Sequence, residues 1–486
     1  MGDKKNVLMI CTDHWSGSLF GCEGHPDIMT PTLDYLANNG VRFSNFYSEC
    51  PVCIPARRTM MTGLTPRTHG DRVYSDRMPM PPVTTLAQAF RENGYQTHAV
   101  GKLHVYPQRD RIGFDDVQLL EEGRYEFSNV DDYQIWMGEN GYLGQEFTHG
   151  MGNNNYLTRP WHLDERAHPT SWVTMQMMKQ MKRKDPTKPA FYFCSYQAPH
   201  PPLVPLQIFL DMYREDTLHR PTGQDWLDDR YIFKAMREME CIYSEKEMLR
   251  ARRAFMAQCT HIDYSIRMLI GTLRECKLLD DTIIVFTSDH GDMLFDHDMV
   301  AKRCFYEQAT RVPFILSGKP LEHLGGTVKT ELAEMADVMP TLLDLCGIPI
   351  PATVEGHALL HPETVPREYI YGEVSEGNKA TRMIRYDAYK LIYYPCGNVV
   401  QLFDLKKDSA ETHDCAAEEA YADVRKKMEN MLMENLNGND LAWIKEGKLC
   451  GFAAPEYVAK ANYGLYNQRG YHWPTPTGYS NQGKNA

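Results

Sequence analysis

Short apolar runs recur along the chain, separated by polar and glycine-containing segments. Four of them have the length and composition of buried parallel strands: NVLMICTD (6–13), QTHAVGK (96–102), AFYFCSY (190–196) and TIIVFTSD (282–289). Each is followed by a loop or by a pattern typical of a helix. Strands that alternate with helices indicate an α/β fold, because parallel strands need crossovers that cover the faces of the sheet. We therefore expect a large central, mostly parallel sheet sandwiched by helices.

The pattern changes from about residue 375. The stretch ATRMIRYDAYKLIYYPCGNVVQLFDLKKD (380–408) alternates and breaks at PCGN, which is typical of an antiparallel hairpin. A charged stretch over about 415–436 predicts a helix. We accordingly divide the chain into a large first domain, 1–374, and a smaller C-terminal subdomain, 375–486, with an antiparallel sheet, a helix and an extended tail.

Polar residues cluster just past the C-terminal ends of the predicted strands, which is where open α/β sheets bind ligands. This group consists of Asp13, Lys102, His104, His200, Asp289 and His290. They lie far apart in sequence, but the predicted fold would bring them together. Two segments, 120–180 and 205–250, are expected to be irregular or charged insertions, and long loops of this kind often shape a substrate pocket.

Charge and hydropathy exclude several classes of partner. The chain has 52 Lys and Arg against 64 Asp and Glu, a net charge of -12, whereas a nucleic-acid binder needs a basic face. The apolar run near the start ends at Asp13, too early for a signal sequence, and no later stretch is apolar enough to span a membrane. We therefore predict a cytoplasmic protein without nucleic-acid or membrane partners.

Two further features concern the cysteines and the tail. The 13 cysteines show no framework spacing, so we expect most of them to be reduced and buried. The tail, GLYNQRGYHWPTPTGYSNQGKNA (464–486), is rich in Gly, Pro, Asn and aromatic residues. It is either a mobile end or an arm that packs on this subunit or on a second copy in a homo-oligomer.

The stretch CPVCIPARRTMMTG (50–63) places a thiol, a rigid turn and a guanidinium just ahead of a predicted helix start. Pro55 fixes the backbone there. A helix N-terminus favours an anion, so it would stabilise a thiolate at Cys53. Arg57 can hold an anion or a developing negative charge. A single cysteine is usually a buried structural residue, but these neighbours favour an activated thiol beside an anion site.

The full string from Cys53 to Gly63, C-x-P-x-R-x-x-x-M-T-G, resembles the signature of type I sulfatases, members of the alkaline-phosphatase-like superfamily. A second signature of that family, GYQTHAVGKLH, runs from Gly94 to His104. The similarity extends to DHGDMLFDHDMVAKRCFYEQATRVPFI (289–315) and covers most of the chain. It implies that Cys53 is oxidised to formylglycine by a formylglycine-generating or an anaerobic sulfatase-maturating enzyme.

The resemblance also implies a divalent metal. Its ligands would be Asp13, Asp289, His290 and the formylglycine oxygen at position 53. Many sulfatases have a second acid after the first; here His14 stands in that position, and its role as a ligand stays open. Oxygen-rich ligands suit Ca²⁺, which we favour, whereas imidazole favours a transition metal, so Mn²⁺ is the alternative.

An anion clamp is implied as well. By the resemblance, Lys102 contacts the sulfate and the formylglycine, and His104 serves the formylglycine hydrate. His200 would bind sulfate and protonate the leaving oxygen, Lys302 would bind sulfate, and Arg57 would help to hold the site. Structural roles are assigned to four other residues of the same types, His261, His297, Asp292 and Asp298.

The predicted function is the hydrolysis of sulfate monoesters to an alcohol and inorganic sulfate. Cleaving such an anion requires charge neutralisation, a strong nucleophile and help for the departing oxygen. Two alternatives stay open: a phosphonate monoester or phosphodiester hydrolase on the same scaffold, and a non-catalytic anion-binding protein in which Cys53 is never converted. The leaving group, whether a sugar, aryl, steroid or choline group, is not predicted.

Overall fold

A computed structural model describes residues 5–122, 130–237 and 243–458. The predicted arm at 464–486 lies outside the described residues. The main sheet contains β1 (Asn6–Asp13), β2 (Val41–Phe43), β4 (Gln96–Gly101), β5 (Asp116–Leu119), β6 (Ala190–Pro199), β7 (Thr282–Ser288), β8 (Phe314–Ser317) and β9 (Thr327–Lys329). A two-stranded sheet pairs β3 (Phe46–Tyr47) with β10 (Ala333–Glu334). The four strands expected from the apolar runs are thus all present.

In the main sheet the strand order is β5-β4-β6-β1-β7-β8-β2-β9. The first five strands are parallel, and β8 runs antiparallel to both of its neighbours. The strand β1 lies between β6 and β7, and all of its residues are buried. The mostly parallel sheet predicted from the sequence is therefore confirmed, and its fully buried strand β1 ends at Asp13.

Helices cover both faces of this sheet. They are α1 (Pro31–Asn38), α2 (Cys53–Thr62), α3 (Pro66–His69), α4 (Leu86–Glu92), α5 (Asp132–Glu139), α6 (Pro169–Lys182), α7 (Gln207–Leu210), α8 (Tyr231–Met236), α9 (Glu245–Glu275), α10 (Glu307–Thr310), α11 (Val338–Leu345) and α12 (Ala422–Asn435). Because side chains alternate along a strand, Leu8 and Ile10 join the core formed with α1, α6 and α9, whereas Val7 and Met9 join the core formed with α2, α4 and α11. Two cores on opposite faces form the predicted sandwich.

The segment 120–180 is less irregular than predicted. Its last part forms α6, which begins with Pro169 and is capped by His168, whose side chain accepts from the backbone N–H of Thr170. Trp172 and Met177 of this helix are buried in the core against the sheet. Trp172 is therefore a core residue and does not face a substrate pocket.

The C-terminal part contains an antiparallel sheet of β11 (Tyr369–Val374), β12 (Thr381–Tyr386), β13 (Tyr389–Tyr394) and β14 (Val399–Asp404), followed by the hairpin of β15 (Ile444–Lys445) and β16 (Lys448–Leu449). The predicted break at PCGN is the turn between β13 and β14. Met428 and Leu432 of α12 pack with Ile384 and Leu391 of the sheet. This sheet starts at β11, ahead of residue 375.

Across the ranges that the structure describes, none of the helices combines the length and the apolar character required to cross a membrane.

Candidate active site

The candidate site lies at the carboxyl ends of the strands in the middle of the main sheet. Asp13 is the last residue of β1, and Asp289 directly follows β7. Lys102 directly follows β4, and His200 directly follows β6. Since β4, β6, β1 and β7 are neighbours and parallel, their ends meet at one edge, and the predicted convergence is found.

Cys53 reaches this edge from the first position of α2. The helix begins at Cys53 itself, earlier than the sequence predicted, because Val52 is extended and the helical turn starts at once after it. It ends at Gly63, whose left-handed backbone lets its N–H bond the carbonyl of Thr59. The Cys53 Sγ lies 3.1 Å from His290 Nε2 and 3.6 Å from Asp13 Oδ1, and the side chain is buried.

Each of the two aspartates uses one oxygen to bind a cation and directs the other toward Cys53 and His290. Asp13 Oδ2 accepts from Lys102 Nζ at 2.5 Å, while Oδ1 faces the thiol. Asp289 Oδ2 accepts from Arg57 Nε at 2.8 Å, while Oδ1 accepts the backbone N–H of His290 and lies 3.7 Å from its Nε2. The flanking cations therefore fix the orientation of both carboxylates.

The donors around this point fit a divalent cation. His290 Nδ1 is 2.9 Å from the carbonyl oxygen of Gly291, so it carries the proton and leaves a lone pair on Nε2. That atom lies 3.5 Å from Asp13 Oδ1. Asp13, Cys53, Asp289 and His290 offer ligand atoms that all lie within 4.8 Å of one another, and all four residues are buried. Two carboxylate oxygens and one imidazole nitrogen form a donor set that both Mn²⁺ and Ca²⁺ can occupy.

His14 stands where many sulfatases have a second acid, and its ring lies beside the candidate metal donors. Its Nε2 lies 3.6 Å from Asp13 Oδ1 and contacts Lys302 Nζ. Its Nδ1 lies 2.5 Å from Asp292 Oδ2. Burial, together with the neighbouring Lys302 and His200, lowers the pKa of His14 well below its ordinary value, so the ring is neutral.

Two lysines carry positive charge at the site in different surroundings. Lys102 is fully buried and contacts the carboxylates of both Asp13 and Glu122. Although burial lowers the pKa of Lys102, these two carboxylates raise it above its usual value, so the ammonium stays charged. Lys302 is only partly buried, and its Nζ lies 3.4 Å from His200 Nε2.

His200 is held rigidly after the end of β6. Its Nδ1 lies 2.5 Å from the carbonyl oxygen of Pro201, and its ring centroid is 4.2 Å from that of His14. Burial and the nearby Lys302 lower the pKa of His200 to about 3. With the Nδ1 proton donated to Pro201, Nε2 carries a lone pair and faces Lys302.

The thiol of Cys53 has a shifted pKa. Burial raises the pKa of Cys53 and so does Asp13, but the neighbouring Lys302, Lys102 and His290 outweigh them and lower it. The local positive charge that a reactive thiolate or a bound anion needs is therefore present around position 53.

His104 follows Lys102 by two residues. Its backbone N–H donates to Glu121 Oε1 at 2.8 Å, and its Nε2 lies 3.2 Å from the hydroxyl oxygen of Tyr74. Its backbone is in the left-handed region, with φ of 61°. Such a conformation is costly for a non-glycine residue and is often found at functional sites.

Arg57 does not lie in an open anion pocket. It is buried beneath the two carboxylates, and besides Asp289 its Nη1 donates to the Lys102 carbonyl and to Ser195 Oγ, each at 2.8 Å. The guanidinium thus connects α2 with Lys102 after β4, Ser195 within β6 and Asp289 after β7. This geometry supports a positioning role more than contact with a substrate.

Sequence reasoning missed four residues of the site, Glu122, Tyr156, Ser195 and Asp292. Asp292, for which the sequence predicts only a structural role, accepts from His14 and from the Tyr156 hydroxyl. Its place in the string DHGD was the one signal that could have suggested a role. The assignments of His261 and Asp298 agree with the structure, since His261 stacks on Phe209 in the core and Asp298 accepts from Gln224 at the surface.

A small pocket borders His200. Its lining comprises Glu146, Phe147, His149, Trp161, His168, Pro169, Gln197, Ala198, His200, Pro202, Val204 and Gln258. Burial lowers the pKa of both His149 and His168 to about 4, so these rings are neutral. Among the lining residues Glu146 is the one with a full charge, and none is a lysine or an arginine.

Comparisons with known proteins agree with this geometry. Residues 5–348 match the family model described as Sulfatase, and residues 295–438 match the one described as N-sulphoglucosamine sulphohydrolase, C-terminal. The chain is 33% identical over 468 residues to an arylsulfatase of Clostridium perfringens, which covers 92% of this chain and 97% of the relative. It is 30% identical over 445 residues to a choline-sulfatase of Rhizobium meliloti, with 85% and 82% covered.

Solved structures show the same architecture. A phosphonate monoester hydrolase of Agrobacterium radiobacter superposes with a TM-score of 0.72 at 22% identity, covering 88% of this chain and 95% of the other. A protein in complex with its substrate D-glucosamine-2-N,6-O-disulfate gives a TM-score of 0.71 at 20% identity, covering 89% and 97%. At these identities the two structures establish the alkaline-phosphatase-like fold alone. The family model, which spans most of the chain, and the arylsulfatase relative establish more: this chain belongs to the sulfatase family of hydrolases.

Proposed function

We propose that the protein hydrolyses sulfate monoesters to an alcohol and inorganic sulfate, with formylglycine derived from Cys53 and a divalent metal held by Asp13, Asp289 and His290. One observation carries the proposal. The side chain at position 53 lies 3.1 Å and 3.6 Å from donor atoms of His290 and Asp13. A nucleophile at that position and a metal on those donors would therefore act on the same substrate atom.

Formylglycine at position 53 would supply a hydrated aldehyde, with one hydroxyl as the nucleophile that replaces the ester oxygen on sulfur and a second that allows sulfate to leave as the aldehyde re-forms. A divalent cation held by Asp13, Asp289 and His290 would supply positive charge and make a nearby hydroxyl more acidic. The residues of the chain orient the metal-binding carboxylates and neutralise the charge of the substrate. Arg57 holds Asp289, Lys102 holds Asp13, and the ammonium groups of Lys102 and Lys302 offset the negative charge of the substrate.

His200 is proposed to move the proton of the leaving group at Nε2. In the free protein that atom carries a lone pair, because the pKa of His200 is lowered to about 3. A bound sulfate ester adds negative charge next to the ring, and an adjacent anion raises the pKa of an imidazole. Binding of the substrate would thus favour protonation of His200, which can then donate to the departing oxygen.

The identity of the metal depends on His14. With Asp13, Asp289 and His290 as the protein ligands, the oxygen-rich set suits Ca²⁺, the ion predicted from the sequence. With His14 as an additional nitrogen donor, the set favours Mn²⁺. Elemental analysis of the purified protein would decide between the two.

The leaving group is proposed to be neutral or cationic. The pocket beside His200 is lined by aromatic rings, by neutral imidazoles and by the carboxylate of Glu146. Rings of this kind stack on sugars, on aryl groups and on cationic groups. A leaving group with its own carboxylate or with further sulfates would find no lysine or arginine among these lining residues.

A phosphonate monoester or phosphodiester hydrolase is the second candidate. The site has one acid at positions 13–14 where many sulfatases have two, so its donor set is less negative and suits a phosphorus ester too. A non-catalytic anion-binding protein is the outcome expected if Cys53 stays a thiol. The site itself is compatible with each of the three chemistries.

The test is to produce the full chain with a formylglycine-generating or an anaerobic sulfatase-maturating enzyme. We expect the intact mass to show conversion of the thiol to an aldehyde, and nitrophenyl sulfate to be cleaved faster than phenyl phosphonate or a nitrophenyl phosphodiester. Faster cleavage of the phosphorus esters would assign the protein to the second candidate. Conversion without turnover of any ester would contradict the proposed function.

A cytoplasmic location and a homo-oligomer formed through the C-terminal tail stay predictions. The mass of the full chain in solution, compared with that of a chain truncated before residue 459, would test the second of these.

A further inference from the structure

The carboxylate of Asp292 accepts hydrogen bonds from four groups. Its Oδ1 accepts the backbone N–H groups of Leu294, at 2.8 Å, and of Ala301, at 3.1 Å. Its Oδ2 accepts from the hydroxyl of Tyr156 and lies 2.5 Å from His14 Nδ1. Asp292 is buried and the proposed mechanism does not use it. Four donors hold this carboxylate in one orientation.

The contacts of His14 determine which of its nitrogens carries the proton. The ammonium of Lys302 contacts Nε2 and can only donate, so Nε2 must hold a lone pair. The proton of the neutral ring is then on Nδ1, where the Asp292 carboxylate accepts it. The same Nε2 lies 3.6 Å from Asp13 Oδ1, the oxygen that faces the candidate metal donors. His14 also has a left-handed backbone, with φ of 74°, which is costly for this residue type.

We propose that Asp292 is a positioning residue that keeps His14 in the Nδ1–H form. The Nε2 lone pair, which accepts from Lys302 in this structure and lies 3.6 Å from Asp13 Oδ1, then stays available to the metal. This rests on the proposed function in one respect, namely that Asp13, Asp289 and His290 bind the metal. Asp292 would act through His14 and would touch neither the metal nor the substrate. His14, oriented by Asp292, would supply a nitrogen at the position where many sulfatases have a second acid and so an oxygen. This difference would shift the preference of the site from Ca²⁺ toward Mn²⁺.

Asparagine at position 292 is the sharpest perturbation because it keeps the shape and reverses the hydrogen bond. Its carbonyl can still accept from Leu294 and Ala301, but its NH₂ group faces His14 and can only donate. His14 Nδ1 would become the acceptor, and the proton would move to Nε2. The lone pair offered to the metal donors would be lost without a change in packing volume.

The first measurement follows the His14 ring directly, in metal-free full-length protein labelled with ¹⁵N-histidine. We expect the nitrogen shifts of His14, identified by their loss in His14→Gln, to report the Nδ1–H form in the unaltered chain and the Nε2–H form in Asp292→Asn. Asp296→Asn is the matched control, because Asp296 is also buried and accepts from Thr222 but does not touch His14. An Nε2–H form in the unaltered chain would overturn the proposal.

The second measurement is metal affinity by calorimetric titration of Mn²⁺ and Ca²⁺ into the stripped full chain. We expect Asp292→Asn to weaken Mn²⁺ binding by about 10–100-fold, as is usual for residues that orient a ligand, and Ca²⁺ binding by less. In a His14→Ala background, Asp292→Asn should cause no further loss of Mn²⁺ affinity. An equal loss in that background, or in Asp296→Asn, would contradict the proposal.

Tyr156→Phe keeps the carboxylate and removes one of its donors, so it tests the proposal if Asp292→Asn does not fold. We expect a smaller loss of Mn²⁺ affinity in the same direction, and an unchanged affinity would count against the proposal. Neither measurement needs turnover. An inactive protein would therefore leave these results valid, and the failure of the proposed reaction can be told apart from the failure of this inference.

Discussion

Arg57 lies beneath the candidate metal donors, with its Nε 2.8 Å from Asp289 Oδ2, and the two side chains form a fully buried ion pair. The sequence predicts that the Arg57 guanidinium holds a bound anion. In the structure the guanidinium is instead paired with a carboxylate of the protein itself, that of Asp289. Because a second donor group of the same side chain binds the Lys102 carbonyl and Ser195, one residue of α2 is tied to three neighbouring strands of the sheet.

Removing the Arg57 charge should therefore destabilise the protein and should do so less when metal is bound. Arg57→Met leaves Asp289 buried and unpaired, which costs about 3–5 kcal/mol when a buried ion pair is broken from one side. A metal on Asp289 would offset part of this cost. We expect urea unfolding to show that Arg57→Met lowers the free energy of unfolding more in the metal-free protein than in the metal-bound protein.

Arg58→Met is the control for this substitution. Arg58 is the next residue of the same helix, is also buried, and donates to the carbonyls of Met78 and Pro79. Arg58→Met should lower the free energy of unfolding by the same amount with and without metal. If Arg57→Met showed no dependence on metal either, Asp289 would not be a ligand.

The strands of the main sheet could be predicted from the sequence because a parallel strand buried on both faces is apolar at nearly every position. β1 and β7 are such strands, and both end within one residue of the predicted position. The residues after these strands could be predicted to converge for the same reason, since parallel strands end at one edge. The family resemblance added Lys302, whose approach to His200 no strand pattern indicates.

The partners of the site residues could not be predicted. Glu122 reaches Lys102 from a loop, and Asp292 meets His14 across 278 residues of sequence. Which loop residue approaches a strand end is set by how the loops pack, and neither composition nor spacing encodes it. The burial of Arg57 was missed for a related reason, because the string around Cys53 is the same whether its helix faces solvent or lies under the sheet edge.

Cys53→Ala should abolish turnover and leave the fold intact. The substitution removes one sulfur from a buried position at the start of α2, and such a small deletion costs about 1 kcal/mol. Circular dichroism and the unfolding midpoint should therefore be nearly unchanged, whereas hydrolysis of nitrophenyl sulfate should fall to background. Cys53→Ser should be inactive as well, except in a host that can oxidise serine. Turnover by Cys53→Ala near that of the unaltered chain would exclude a nucleophile derived from this residue.

Removal of the metal should lower thermal stability together with activity, since an ion that binds only the folded state stabilises it. At a free metal concentration one hundred times the dissociation constant the contribution is about 2.7 kcal/mol. Asp289→Asn should lose most of this metal-dependent increment. A melting temperature that does not respond to chelator in either protein, with elemental analysis showing that metal was present and then removed, would argue against Asp13 and Asp289 as ligands.

Glu146 should set the charge preference of the leaving group. We expect 4-(aminomethyl)phenyl sulfate to be cleaved with a higher kcat/KM than 4-carboxyphenyl sulfate, because Glu146 is the charged residue of the pocket beside His200. Glu146→Gln should reduce that preference by about fivefold, a factor that corresponds to roughly 1 kcal/mol for a partly exposed charge pair. Glu139→Gln, which replaces a carboxylate outside the pocket lining, is the control. Equal preferences in the three proteins would show that the leaving group does not enter this pocket.

His200→Ala should slow poor leaving groups much more than good ones. The oxygen of an alkyl or sugar sulfate must gain a proton as its bond to sulfur breaks, and loss of a general acid costs about two to four orders of magnitude. Nitrophenolate leaves as a stabilised anion, so the hydrolysis of nitrophenyl sulfate should slow less.

The pH profile of His200→Ala provides an independent check. His200 is neutral in the free protein, where its pKa is about 3, and the bound anion raises that pKa. Because the protonated ring is the active form, kcat for a sugar sulfate should fall as the pH rises through the raised pKa, and this limb should be absent in His200→Ala. If both substrates lost the same factor through KM alone and the alkaline limb persisted, His200 would bind sulfate without donating a proton, and Lys302, whose Nζ lies 3.4 Å from His200 Nε2, would be the next group to test as the acid.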